Sequence, residues 1–483
     1  MPAKAVIIMA NWSYNAVGGG GESNSGNSTP SIDSKPNAQI TVPVSADSTV
    51  SETGKATTTI TSAKLDEIIK KAPQIASKLG VKENGILAEV TVNNPANTKT
   101  FTVNLPKVAQ DRLAKEKVVE FRINSNSIDI GFDKAAISTI QKTTGMDAQI
   151  NANPVTTTAL SNEAQKAIGN RPVYDLTLVY GSKNLTSFGN GKVYVGIPYT
   201  LGSNEQAGNV GVVYVDKNGK LSYIKDSSYD MTRKMVIFST NHFSTYGVVY
   251  NRNAPIFNDI VNHWAEDEIL FVTNRGLLNG TENGQFSPNM SITRRTLVTV
   301  LGRLANVNIA SYTKSSFIDV KTDDPCMGYA EWAAKNNIMK GIGNGQFAPD
   351  SPITREEIAN ILYNYAKATN YTLPIIRKSV IFADNSSISN SCKNSVKAMQ
   401  QAGILMGEDN NKLNPKAKAT RAEVSAMLHR YLNLTIDRAT VEGWAKNDSG
   451  RWLYYNNGKA LIGWQTISGT KYNFDANGIL QIS

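Results

Sequence analysis

Cysteine and histidine are scarce in this chain of 483 residues, with two of the first and three of the second. Two cysteines, Cys326 and Cys392, exclude a disulfide-scaffolded mini-domain and a cysteine-rich metal centre. Whether the two pair with each other or stay free and buried is open at this level. His242, His263 and His429 stand far apart, without the close spacing of a histidine metal site, so no metal is expected. No apolar run approaches the roughly 20 residues that span a bilayer. Lys and Arg outnumber Asp and Glu by 50 to 40, a net charge of +10, yet no basic block stands out. That balance favours polyanionic partners in general and nucleic acid least. No nucleophile–base pair, phosphate-cradling loop or carboxylate pair can be assigned, so neither a catalytic residue nor a cofactor is expected and the chain reads as non-enzymatic.

What is present divides the chain into several units, as its length suggests. Residues 1–16 open with MPAKAVIIMANW, whose apolar stretch Ala5 to Ala10 is shorter than most signal-peptide cores of about 7–15 residues and alternates like a strand. It resembles the last strand of InlB-type B repeats, which implies a repeat remnant and a protein that extends upstream of Met1. Residues 17–39 are rich in Gly, Ser, Asn and Pro and read as a flexible linker. Residues 40–251 read as a β-rich domain. Strands are predicted at Val90–Val92, Phe101–Val103, Val193–Ile197, Val212–Val215 and Met235–Phe238. Leu65, Ile68, Ile69, Ile75 and Leu79 fall on one helical face. Asp216 to Lys220 is a predicted turn in which Gly219 takes positive φ. The phrases RPVYDLTL, VGIPYT, DKNGKL and STNHFSTYGVVYN resemble the domain that precedes wall-anchoring repeats in clostridial surface proteins, parts of which are similar to ZU5-like sandwiches. Some ZU5-like domains cleave themselves at an HFS triplet. That resemblance raises His242, Phe243 and Ser244 as a self-cleavage site, against the alternative that the triplet only ends a strand.

The strongest signal is a unit that occurs three times. Gly280, Gly341 and Gly407 are each followed six residues on by Phe286, Phe347 and Leu413. Two further on stand Pro288, Pro349 and Pro415, and then the pairs Thr293-Arg294, Thr354-Arg355 and Thr420-Arg421. Each unit opens on an aromatic and an acid: Phe257 with Asp259, Phe317 with Asp319, Phe382 with Asp384. These marks resemble the S-layer homology (SLH) family, with repeats over 256–310, 316–370 and 381–434. The resemblance implies a helical pseudo-trimer folded from one chain. It also implies non-covalent anchoring to pyruvylated secondary polysaccharide linked to peptidoglycan.

The residues carry their own physical reading. Thr followed three residues on by Glu is a capping box, met by Thr354 with Glu357 and Thr420 with Glu423. Staples are expected between Ile292 and Leu297, Ile353 and Ile358, and Ala419 and Val424. Repeat one has Arg295-Thr296 where Ala-Glu is usual, so Thr293 loses the reciprocal half of its box. The arginines have no capping role. Each sits at a helix opening whose free N–H groups attract anions, and a guanidinium there can grip a carboxylate through two parallel hydrogen bonds. Since the resembled family takes a pyruvate ketal, Arg294, Arg355 and Arg421 are the candidate glycan ligands, with Thr293, Thr354, Thr420, Glu357 and Glu423 around them. The alternative is a solvated arginine. Trp264 and Trp332 read as core rather than sugar platforms.

Residues 441–483 hold a different repeat, Gly443-Trp444 recurring as Gly463-Trp464. It resembles choline-binding or glucan-binding wall repeats made of short hairpins. Trp444, Trp452, Tyr455 and Trp464 are candidates for an aromatic cage around choline or another wall glycan; packing of hairpin on hairpin is the alternative. Together the expectation is a multidomain α+β surface protein of the extracellular cell wall or S-layer. It comprises a β-rich domain, three mainly helical repeats and a β-hairpin tail, with no transmembrane segment. The rival reading is the anchoring part of an exported glycan hydrolase or adhesin whose active domain lies upstream.

Overall fold

The computed structural model describes residues 8–11, 37–78, 82–95 and 98–481. The repeat remnant expected over 1–16 and the linker over 17–39 lie mostly outside them. Within them Ile8–Asn11 forms a strand antiparallel to Asn37–Asp47.

The β-rich region is built on two large sheets. One runs, in spatial order after Ile8–Asn11, through Asn37–Asp47, Lys82–Asn93, Val118–Ser125, Asp129–Asp133, Val193–Pro198, Met235–Thr240 and Ser227–Asp230. The other runs through Leu221–Ile224, Val210–Val215, Thr245–Tyr250, Val173–Tyr180, Ala148–Pro154, Thr100–Leu105, Lys55–Thr59 and Thr49–Val50. All five predicted strand segments lie in these strands. Pattern alone did not give the pairing: Asn37–Asp47, Lys82–Asn93 and Val118–Ser125 are parallel neighbours, as are Lys55–Thr59 and Thr100–Leu105. Parallel strands need long crossovers, usually helical. Helix α1 (Ser62–Lys78) and helix α2 (Lys107–Lys115) supply them, and α3 (Lys134–Thr144) and α4 (Asn162–Ile168) follow. Inward-facing Val42, Val90, Ile123 and Val195 from one sheet meet Val103, Ile150, Leu176 and Val248 from the other, with Leu65 and Ile68 of α1, in one core. Gly219 takes φ +78° as expected.

The helical half contains α5 (Glu266–Asn274), α6 (Arg294–Leu304), α7 (Met327–Lys335), α8 (Arg355–Ala368), α9 (Lys393–Gln401) and α10 (Arg421–Ile436), two per repeat. Their apolar faces share a single core. Cys326 and Cys392 are both buried and both free. Among the described residues no helix is long and apolar enough to cross a membrane. Beyond α10 the chain forms two small antiparallel sheets, Gly443–Lys446 with Trp452–Asn456 and Lys459–Ala460, then Gly463–Ile467 with Thr470–Phe474 and Leu480–Gln481.

The two halves are joined by buried charge. Asp437, just past α10, accepts from Arg122 at 2.7 Å and from Arg233 at 2.6 Å, and Arg438 reaches Glu120 at 3.0 Å. Burial works against the Asp437 carboxylate, but the two guanidiniums outweigh it and hold its pKa far below the ordinary range. Nearby, His429 stacks on Phe271 with ring centroids 4.1 Å apart and lies within reach of Ser228 and Asn433. Burial, aided by Arg275, Arg430 and Lys446, pushes its pKa down to about 3. The folded state therefore favours the neutral ring, while an unfolded histidine protonates near pH 6.5. In an NMR pH titration His429 is expected to show no protonation between pH 8 and 5; a midpoint in that interval would refute this.

Candidate functional site

The repeated residues first build a loop. Asp259 accepts from the backbone N–H of Phe286 and Ser287, Asp319 from Phe347 and Ala348, and Asp384 from Leu413 and Asn414, all at 2.7–2.9 Å. The clamp holds Ser287, Ala348 and Asn414 at φ between 51° and 56°, a conformation costly for a residue with a Cβ unless its surroundings enforce it. Behind the loop, a Cβ on Gly280 would lie 2.5 Å from Phe257, on Gly341 3.0 Å from Phe317, and on Gly407 2.6 Å from Phe382. The glycines are spaced to the aromatics because the ring occupies the place of a side chain. Gly280→Ala should thus cost about 1–3 kcal/mol by overpacking. A denaturant midpoint no lower than that of the unaltered chain would refute it.

The loop then presents the helix openings. Thr354 with Glu357 and Thr420 with Glu423 make reciprocal capping boxes. Thr293 keeps half of one, its hydroxyl accepting from the Thr296 backbone. The staple residues Ile292, Leu297, Ile353, Ile358, Ala419 and Val424 are all buried. Backbone bonds pass between repeats at these openings. Ile292 N–H donates to Ala419 at 2.9 Å, Ile353 to Ile292 at 3.2 Å, and Ala419 to Ile353 at 2.9 Å, so the links run one to three, two to one, three to two.

Each motif arginine leans into the loop of another repeat. Arg294 donates through Nε to the Phe347 carbonyl at 2.7 Å and through Nη2 to Lys340 at 2.6 Å, with its guanidinium over the Phe347 ring. Arg421 does the same in repeat one, to Phe286 at 2.8 Å and Asn279 at 2.5 Å, over the Phe286 ring. The Phe at this position thus serves as a seat for the neighbour's arginine. Burial lowers the pKa of both guanidiniums. Without a capping role, these two arginines still act structurally, binding backbone across a junction.

Arg355 departs from the pattern. Its Nε bonds the Leu413 carbonyl at 2.7 Å, but its other nitrogens meet Glu423 at 2.6 Å and Asp448 at 2.7 Å, with Glu408 at 3.4 Å. Its side chain is 0% exposed. Burial alone would lower its pKa, yet Asp448, Glu423 and Glu408 turn the shift upward. Of the three arginines, Arg294 is the half-buried one, with Arg355 and Arg421 buried. Glu357 is exposed beside Thr354, whereas Glu423 is spent on Arg355 and on the Thr420 backbone. Arg295 ties repeat one to Asp324 at 2.5 Å and Asp350 at 2.9 Å in repeat two. The charge complementarity of these residues was the only sequence signal for that tie.

The remaining candidates separate. Trp444 and Trp452 come together at 6.1 Å, but the other rings around Trp444 are Tyr454, Tyr472 and Phe474. Tyr455 alternates to the opposite face, where Arg377 stacks on it at 3.5 Å, and Trp464 is 71% exposed. The four do not form one cage here: Tyr455 follows Tyr454 on its strand and so points to the opposite face, and Trp464 belongs to the second small sheet. Trp264 and Trp332 pack against the helical core. Phe243 is buried between Phe132 and Phe188, and His242 lies edge-on to Tyr214. Among the described residues no hydrogen bond joins the Ser244 hydroxyl to His242, and none of the three residues has positive φ.

The S-layer homology domain model matches residues 256–296, 316–359 and 381–425. The chain is 30% identical to an amylopullulanase of Thermoanaerobacterium thermosulfurigenes over 316 residues, which is 64% of this chain and 16% of the relative. That match is longer than everything from the first repeat onward, so it runs into the β-rich region. It is 34% identical to an exoglucanase, XynX, of Acetivibrio thermocellus over 38% of this chain and 16% of the relative. To an S-layer protein of Bacillus thuringiensis subsp. finitimus it is 29% identical over 36% of this chain and 21% of the relative. The chain thus spans about a sixth to a fifth of the length of these relatives.

Proposed function

We propose that this chain, carrying three S-layer homology domains, anchors a surface protein non-covalently to a bacterial cell wall by binding anionic, pyruvylated secondary polysaccharide. The observation that carries the reading is the recurrence of one guanidinium at three equivalent junctions, in repeats that match the domain family. The repeats act as one trimer-like unit, supported by the cyclic backbone bonds among Ile292, Ile353 and Ala419. Arg294 is the foremost ligand, because it is the least buried of the three and no carboxylate bonds it. Arg294→Ala is expected to reduce co-sedimentation with purified wall sacculi, as is chemical removal of the secondary polymer. Undiminished sedimentation in both cases would sink the proposal.

The tail engages a generic wall glycan rather than choline. Arg377 sits on the Tyr455 ring, where a quaternary ammonium would have to stack, and its charge repels one. Retention on a phosphorylcholine column with elution by free choline would contradict this. A second reading, the anchor of an exported glycan hydrolase, is favoured by the matches to an amylopullulanase and an exoglucanase. It shares the anchoring step and differs only in what the anchor carries.

A further inference from the structure

The junction between repeats two and three is occupied from within the chain. The turn that joins Gly443–Lys446 to Trp452–Asn456 inserts Asp448, whose side chain is 0% exposed. One carboxylate oxygen accepts from Arg355 at 2.7 Å and from the Gly407 backbone N–H at 3.0 Å, and the other from Arg430 at 2.6 Å. The Asp448 N–H donates to the Gly407 carbonyl at 2.7 Å, and Asn447 and Ser449 bond Asp409 beside it. At the other two junctions the arginine Nη2 is spent on the carbonyl just before the anchor glycine, Lys340 or Asn279. The corresponding residue here is Met406, and Arg355 Nη2 turns instead to Asp448. Leu413 also replaces the aromatic seat, so the guanidinium is held by acids rather than by a ring.

Three donors converging on one carboxylate make a receptor for that group, whatever molecule brings it. Resting on the anchoring reading above, we propose that the tail turn is an intramolecular stopper: Asp448 stands where an acidic sugar substituent would bind Arg355, Arg430 and the Gly407 N–H. The docked chain then takes wall polymer at its other junctions, and the second-to-third junction opens to an acidic sugar only when the tail leaves.

Two variants release the turn by different means. Asp448→Asn removes the charge. Gly450→Val leaves every charge in place, but Gly450 has φ +78° and a Cβ there would lie 2.4 Å from Trp264. The full chain would be titrated by calorimetry with a methyl glycoside bearing a pyruvate ketal, with hydrogen exchange reporting the amides of Trp444 and Asp448, which bond Thr232 and Gly407 outside the hairpin. The expected result is lost protection of those amides and one more equivalent of sugar bound in each variant than in the unaltered chain. Exposed tail amides with unchanged stoichiometry in both variants overturn the stopper. A tail that stays protected in both does so too, because neither the carboxylate nor the turn would then be what seats it. If the unaltered chain binds neither this sugar nor sacculi, the anchoring reading itself falls.

Discussion

Asp437→Ala is expected to cost about 3–5 kcal/mol, because it takes from the buried Arg122 and Arg233 the acid they share. Burying an ion costs several kcal/mol, and only the partner's field and hydrogen bonds offset it. Here the acid also caps the turn after α10, accepting from the Ala439 N–H at 2.9 Å. The β-rich region and the repeats meet at this point, where Ile436 packs with Met235 and Ile237. The loss should therefore appear as uncoupling: one urea transition separates into two, read by tryptophan fluorescence and far-UV circular dichroism. A single transition at an unchanged midpoint would show that the ion cluster does not hold the halves together.

Arg355→Ala should cost a similar amount, about 3–5 kcal/mol, whereas Arg294→Ala should cost no more than about 1.5 kcal/mol. The first removes the cation that Asp448, Glu423 and Glu408 share, leaving a buried space among them with only Arg430 still paired to Asp448. The second removes a half-buried group whose two bonds go to neutral carbonyls, one of them on an exposed residue. Equal losses in paired denaturant titrations would mean that the shared Thr-Arg motif, not the surroundings, sets the energetics. The contrast separates two roles that one motif presents as the same.

Much of the repeat architecture was legible without coordinates. Three copies of one spacing gave the helix openings, the caps on Thr354 and Thr420, and the buried staples. Those depend on contacts within a few residues, so a single copy carries enough pattern to reveal them. The strands of the β-rich region were also legible, since alternation reports the burial of one face. Their parallel pairing was not, because hydrophobic period says which face is buried and nothing about which strand lies beside it. The aromatic cage failed to assemble for the same kind of reason: Trp444 and Tyr455 belong to one hairpin, but its register sets them on opposite faces.

By itself the sequence determined that a guanidinium opens three equivalent helices and that one spacing of glycine, aromatic or leucine, proline and Thr-Arg recurs in each repeat. Only the tertiary structure decided how differently the three arginines are used. Asp448 lies 93 residues from Arg355 along the chain, and Phe286 lies 135 from Arg421. Separations of that length leave no periodic trace in the chain, while the field between two buried charges depends only on their distance in space and on the water excluded around them.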